Sequence, residues 1–365
     1  MTDPHDRHHR IPGWCQQALS DATVVIVGVG AIGNEVARLL AMAGVGRLVL
    51  CDPDRVEVTN LNRTVLFRRR DVDDGRSKVE AAAHALADLA PGTHVETRAS
   101  LLVHGVGLAE LRAADLVVSC LDSRVARLQL AGRCGLVAAP WLDGGTNPWG
   151  GEIRPYLDPD GPCYGCALGA EGRGVIDAPW SCADVQEADP EGSSIALSSV
   201  VGSWMGTLAI RFLMGLPCPS QIVRLDGATG ESVLSEQARD PECPLHRRAG
   251  DSVPIPIRSD QTVGELLAAL PWPGTVLSWA PIQTAIQCRA CHRRWERWGI
   301  PGLGVCPECG GNVRSLTTLE MNRCPPDAVL SSLGVAPCEI LATRTEDGYQ
   351  WIELQALPEP PSHGT

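Results

Sequence analysis

Residues 23–44 read TVVIVGVGAIGNEVARLLAMAG, and few stretches leave a chain so little choice of fold. A short β-branched, apolar run suits a strand buried on both faces. Gly28, Gly30 and Gly33 follow as G-x-G-x-x-G, and Val36, Leu39, Leu40 and Ala43 then recur with a helical period until Gly44 stops it. Glycines at such a turn let backbone N–H groups approach a phosphate at the positive end of the helix. RLVLC reads as a second strand, and Asp52 at its end is placed to accept hydrogen bonds from ribose hydroxyls. HVETRA, DLVVSC and LVAAPWLDG read as further strands, alternating with helices at SKVEAAAHALADLAP and RVARLQLAGRCG. The expected class is α/β: a doubly wound, Rossmann-like, mostly parallel sheet.

The 365 residues carry a net charge of −12, which argues against a surface that tracks nucleic-acid phosphates. No apolar run approaches the ~18 residues of a membrane span, and MTDPHDRHHR lacks a signal-peptide core. A cytoplasmic protein with neither membrane nor nucleic-acid partner is expected. Fifteen cysteines are an odd number, and three C-x-x-C or near-C-x-x-C pairs point to metal rather than disulfides. Residues 1–20 read as an N-terminal arm, 21–246 as the nucleotide domain with an inserted zinc knuckle, 247–262 as a linker and 263–365 as a small C-terminal zinc-ribbon domain. Residues 144–195 are Gly-, Pro-, Asp- and Cys-rich with little periodicity, a long functional excursion.

The glycine turn and Asp52 would serve a dinucleotide oxidoreductase equally well. The loop that follows, VEVTNLNRTVLF, discriminates. Asn60, Asn62 and Arg63, with Lys78 shortly after, offer amides and two cations suited to a triphosphate, and Asp122 at the end of DLVVSC is placed to hold Mg²⁺. Lys78 is the single lysine among 31 basic residues, a bias in keeping with the Ala-, Gly-, Pro- and Arg-rich composition. Its survival at this loop suggests a task for a compact ammonium.

From GVGAIGNEVARLLAMAGVGRLVLCDPDRVEVTNLNR through LF and GRSK, the chain resembles the MoeB/ThiF family, bacterial relatives of ubiquitin-activating enzymes, over residues 10–246. The family adenylates the C-terminal carboxylate of a small β-grasp protein ending in Gly-Gly, a ubiquitin-like or sulfur-carrier protein, giving acyl-AMP and pyrophosphate. The resemblance implies that Ala31 and the glycines line the nucleotide and that Asp52 binds ribose. It implies that Thr59, Asn60, Asn62 and Arg63 meet the phosphates and base region, with Lys78 on the phosphates and Asp122 on Mg²⁺. Thr64 and Ser123 depart from the family's usual Gln and Asn. The family homodimerises and an N-terminal arginine crosses to the partner's ATP, a part Arg10 or Arg7 would take here. A sulfurtransferase or a conjugating enzyme is the implied downstream partner. Relatives that activate a peptide C-terminus or a modified tRNA nucleoside supply an alternative substrate. A zinc scaffold that lost its chemistry is a third reading, which the intact Asp52, Arg63, Lys78 and Asp122 oppose.

Two structural zinc sites are expected. Cys163 and Cys166 pair with Cys243 and His246, where the family's site is usually four cysteines. Cys288 and Cys291, fourteen residues, then Cys306 and Cys309 have zinc-ribbon spacing and lie outside the resemblance. The ribbon's HRRWERWGIPGLG is either a partner-binding face or filler over a small core. Cys182 occupies a position like that of the cysteine that joins covalently to the activated substrate in the ThiF branch, although nearby Asp184, Glu187 and Asp189 would raise its pKa.

Overall fold

The structure, a computed structural model, describes residues 4–173, 192, 194–302 and 304–357. Two compact units divide the chain at Arg248, except that Val103–Glu110 belongs to the second.

The first unit is built on an eight-stranded sheet in the order β3-β2-β1-β4-β5-β6-β7-β8. Its strands are β1 (Thr23–Val27), β2 (Arg47–Cys51), β3 (His94–Arg98), β4 (Leu116–Ser119), β5 (Trp141–Thr146), β6 (Gly150–Tyr156), β7 (Ile222–Asp226) and β8 (Ser232–Ser235). Pairs from β3 to β5 are parallel, and β6, β7 and β8 add on antiparallel. This is the mixed α/β, Rossmann-like class expected. The chain order reverses beside β1, so a crevice opens beyond the carboxyl ends of β1 and β4, where such sheets bind ligands. Ile26, Leu48, Leu50 and Leu116 are completely buried. Each contributes about 1.5–3 kcal/mol through removal from water.

The helix Ala31–Met42 packs against the 19-residue helix Ile195–Leu213. A Cβ on Gly202 would lie 2.8 Å from the Glu35 Cβ, so glycine is what lets the two helices pass so closely. Ile195–Leu213 is apolar and long enough to cross a membrane by length and composition, yet it also packs on β5 and β6. The stretch expected as an excursion contains β6, whose glycines and proline (GGEIRPY) hide a strand from a periodicity reading.

The second unit holds a six-stranded sheet, β11-β10-β13-β14-β9, with β12 also paired to β10. These strands are β9 (Ser252–Arg258), β10 (Thr275–Cys288), β11 (Arg294–Gly299), β12 (Val313–Glu320), β13 (Ile340–Thr345) and β14 (Gly348–Gln355). The 247–262 stretch expected as a linker therefore contains a strand, parallel to β14. Pro254 and Pro256 lie within that strand, and at a sheet edge their missing N–H groups are tolerated. Gly107 runs so close to the 337–338 backbone that a Cβ would lie 2.1 Å from the Pro337 carbonyl oxygen. The Leu108 amide nearby donates to Glu339 at 3.0 Å.

One ion cluster ties β2 to β3. Burial opposes ionisation of Glu96, but hydrogen bonds from Arg47 and Arg98 outweigh it and hold the carboxyl at about 2. A carboxylate whose folded pKa is depressed stabilises the fold above its unfolded value and loses that contribution as pH falls. Acid unfolding should therefore steepen between about pH 4.5 and 2, and Glu96→Gln should remove about 2–3 kcal/mol at neutral pH. Urea melts of both proteins across that range would check this. A variant whose deficit stays constant down to the lowest pH would contradict it.

Candidate functional site

The crevice is assembled from the glycine turn outward. Gly28 has φ +89°, and a Cβ there would sit 2.5 Å from the Cys120 carbonyl oxygen. Gly33 is forced differently, since its Cβ would fall 2.0 Å from the Gly28 carbonyl oxygen. Gly30, the residue before the helix, faces nothing within 4 Å, and Ala31 opens the helix. The turn thus packs tightly against β4 behind it and stays open at its tip.

Asp52 is buried, accepting from the Val29 amide at 2.7 Å and the Asp54 amide at 2.9 Å. Burial raises its pKa, opposed chiefly by Lys78. Lys78 lies 3.9 Å from Asp52 and 2.6 Å from Asp54. It is the first residue of the helix Lys78–Leu89, whose capping box is made by Ser77 and Glu80. The glycine turn, Asp52 and Lys78 are therefore brought together.

The Asn-Arg loop is a short 3-10 turn, Val58–Asn60, fixed by its own side chains. Asn60 accepts from the Glu57 amide at 2.9 Å, and the Thr59 hydroxyl donates to Glu57 at 3.2 Å. Arg63 folds back to the Thr59 carbonyl and, at 3.3 Å, to the Asn62 amide oxygen. Asp122 is exposed just beyond β4 and makes no side-chain hydrogen bond among the described residues. Ser123 caps the helix Arg124–Val137 by accepting from the Ala126 amide. Arg10 lies in the N-terminal segment, paired with Asp6 at 2.6 Å. Cys182 lies outside the described residues. Burial pushes the Cys120 thiol well above its ordinary value, which disfavours a thiolate there.

Two participants were missed on sequence. Asn34 is fully buried and donates to the carbonyls of Val29 (2.8 Å) and Gly30 (3.1 Å) while accepting from the Leu66 amide at 2.9 Å. It links the glycine turn to the loop that carries Arg63. Its one signal was an asparagine beside the turn's last glycine in an otherwise apolar helix face. Asp143 is likewise fully buried, bonded by Ser119 at 2.6 Å, Arg127 at 3.2 Å and Arg154 at 2.8 Å. It fixes the first turns of the helix that begins beside Asp122.

Both ligand clusters form. Cys163, Cys166, Cys243 and His246 converge, as do Cys288, Cys291, Cys306 and Cys309, all donor atoms of each set lying within 4.8 Å of one another. Sulfur separations are 3.7 Å for Cys163–Cys166 and Cys163–Cys243, and 3.5 and 3.7 Å for Cys288–Cys309 and Cys291–Cys306. A tetrahedral site with Zn–S bonds of ~2.3 Å has edges of about 3.8 Å, whereas a disulfide needs ~2.05 Å. The donors fit zinc. Amides of Ala290 and Cys291 also point at the Cys288 sulfur, both at 3.3 Å, and favour its thiolate.

Strand order, glycine turn and the Asp52–Lys78 pair define a nucleotide-binding α/β protein. The chain belongs to the ThiF family, whose profile matches residues 5–245. It is 34% identical over 232 residues to the molybdopterin-synthase adenylyltransferase of Escherichia coli K12, covering 62% of this chain and 88% of that one. It is 31% identical over 253 residues to the sulfur carrier protein adenylyltransferase of Thermus thermophilus, covering 66% and 90%. A ubiquitin-like modifier-activating enzyme 5 of Drosophila persimilis shares 34% over 165 residues, 41% of this chain and 42% of that one. Among solved structures, E. coli MccB with ATP superposes with a TM-score of 0.52 at 24% identity, over 63% of this chain and 68% of that one, a likeness of fold. The protein is an adenylyltransferase of this family.

As isolated, the protein should carry one zinc ion per cluster. Cys163→Ala and Cys288→Ala should each lower zinc content by one, and the double variant by two, as elemental analysis would read. A Cys288→Ala protein that kept its full zinc would refute the second site.

Proposed function

We propose that this chain uses ATP and Mg²⁺ to adenylate the C-terminal Gly-Gly carboxylate of a small ubiquitin-like or sulfur-carrier protein, releasing pyrophosphate. The observation that carries the reading is the convergence of Asp52 and Lys78 on an open glycine turn, with Asp122 exposed at the next strand end. The names of the most similar relatives point the same way.

In this reading Asp52 accepts from the ribose hydroxyls with the two oxygens that the Val29 and Asp54 amides already orient. The amides of the glycine turn receive a phosphate. Thr59, Asn60, Asn62 and Arg63 flank the phosphates and base, Arg63 first leaving its own loop. Asp122 would hold Mg²⁺, which supplies charge neutralisation at the phosphates. A carboxylate oxygen of the substrate attacks the α-phosphorus, the new C–O–P bond forms, and the bond to the β-phosphate's bridging oxygen breaks. No general base is required, because the carboxylate is already ionised. Arg63 and Lys78 offset the charge that gathers on the leaving pyrophosphate.

The two zinc sites are structural in this proposal. A second copy of the chain completes the enzyme, with Arg10 released from Asp6 to reach the partner's nucleotide. Val200 and Trp204, 49% and 43% exposed on the helix Ile195–Leu213, offer that copy an apolar face. The Cys182 thiol would displace AMP from the acyl carbon to form a thioester, which a conjugating enzyme would accept by thiol exchange or to which a sulfurtransferase would deliver sulfur.

ATP–pyrophosphate exchange is the direct test. With a β-grasp protein ending in Gly-Gly it should appear, and fall on the order of a hundredfold or more in Arg63→Ala and Asp122→Ala. Exchange with a short peptide but no such protein would redirect the proposal to a peptide substrate. Binding of NAD⁺ with ATP silent in calorimetry would end it.

A further inference from the structure

We infer that Asp54 is a latch on Lys78: its carboxylate holds the ammonium in the empty site, yields it to the phosphates when nucleotide enters, and takes it back as pyrophosphate leaves. The inference rests on the nucleotide reading above and names a residue to which that reading gives no part.

Geometry separates the two acids around Lys78. Asp52 is 3.9 Å from the ammonium, buried, and committed to two backbone amides. Asp54 is 2.6 Å away, its side chain 62% exposed, and Lys78 is its sole side-chain partner among the described residues. The Lys78 side chain is 13% exposed. A phosphate arriving at the glycine turn meets a cation already taken, and taken by a carboxylate with nothing else to hold it.

The latch can open without disturbing the loop. The Asp54 amide donates to Asp52 at 2.9 Å, and the Asp54 carbonyl accepts from the Lys78 amide at 2.9 Å. Both ties are backbone at residue 54. They place its side chain and survive its replacement. An exposed ion pair is weak, so the phosphates can displace it, and the same weakness allows recapture. Two acids and one lysine leave the pocket with a net negative charge, which also repels the triphosphate until Asp54 swings away. Asp54 is thus a positioning residue, acting on the nucleotide through Lys78.

Asp54→Asn keeps shape and backbone bonds while removing the charge. By calorimetry with Mg²⁺-ATP, the variant should bind about two- to tenfold more tightly than wild type. Adenosine, which has no phosphates, should bind both equally, and Asp54→Glu should restore wild-type ATP affinity. Because Lys78 is the single lysine, its acetylation by acetic anhydride, mapped by mass spectrometry, reads the latch without nucleotide. That rate should rise about two- to fivefold in Asp54→Asn. Equal or weaker ATP binding in the variant would overturn the latch and leave the nucleotide reading standing. Wild-type protein that binds neither ATP nor adenosine would overturn both.

Discussion

The amide of Asn34, wholly removed from solvent, donates to the glycine turn on one side and accepts from the backbone of Leu66 on the other. The nucleotide end depends on that link. The glycine turn is set by steric necessity, since Gly33 packs on the Gly28 carbonyl and Gly28 on β4. The loop carrying Arg63 has no such packing, for Val58, Thr59 and Asn62 are exposed. Asn34, with the buried apolar anchors Val56 before the loop and Leu66 and Phe67 after it, sets its height above the sheet. A buried amide left half satisfied costs about 1–3 kcal/mol, so the turn and the loop move together or not at all.

Charge is handled by the same logic at two depths. Asp143 is fully buried and is compensated by two guanidinium groups and a hydroxyl, an arrangement too well bonded to move. Asp52 is nearly as buried but leans on backbone amides, so its cation at 3.9 Å is at liberty to serve another anion. The first acid supports the helix that starts beside Asp122, and the second faces the crevice. Depth and partner type, not the presence of a carboxylate, separate scaffold from site.

What could be read on sequence follows from this. Gly28, Gly33, Asp52, Lys78 and the eight metal ligands announce themselves because their chemistry is local: a turn needs glycine, and a C-x-x-C knuckle needs its spacing. Asn34 and Asp143 were illegible because a buried polar residue looks like an interruption of an apolar pattern, and nothing in the sequence says that Leu66 or Arg154 will bond it. β6 and β9 were hidden by residues poor in strand propensity, Gly150 and Gly151 in one, Pro254 and Pro256 in the other. Neighbouring strands override that propensity in the folded chain. Asp54 illustrates the difficulty best, since it stands in plain view beside Asp52 and gains meaning only when Lys78 arrives from a helix 24 residues on.

The single lysine then has a physical reason beyond composition. Position 78 opens a helix, is largely enclosed, and must face two acids whose bonding differs. A guanidinium would fork across both carboxylates with several fixed donors, and the resulting bidentate pair would be hard for phosphate to break. An ammonium is a point charge on a flexible stem, able to leave one oxygen for another without re-aiming a plane. The chain's other thirty basic residues are arginine, including Arg47, Arg98, Arg127 and Arg154, which make fixed, multidentate or partly buried contacts. At position 78 that freedom lets one cation serve Asp54 in the empty site and phosphate in the filled one.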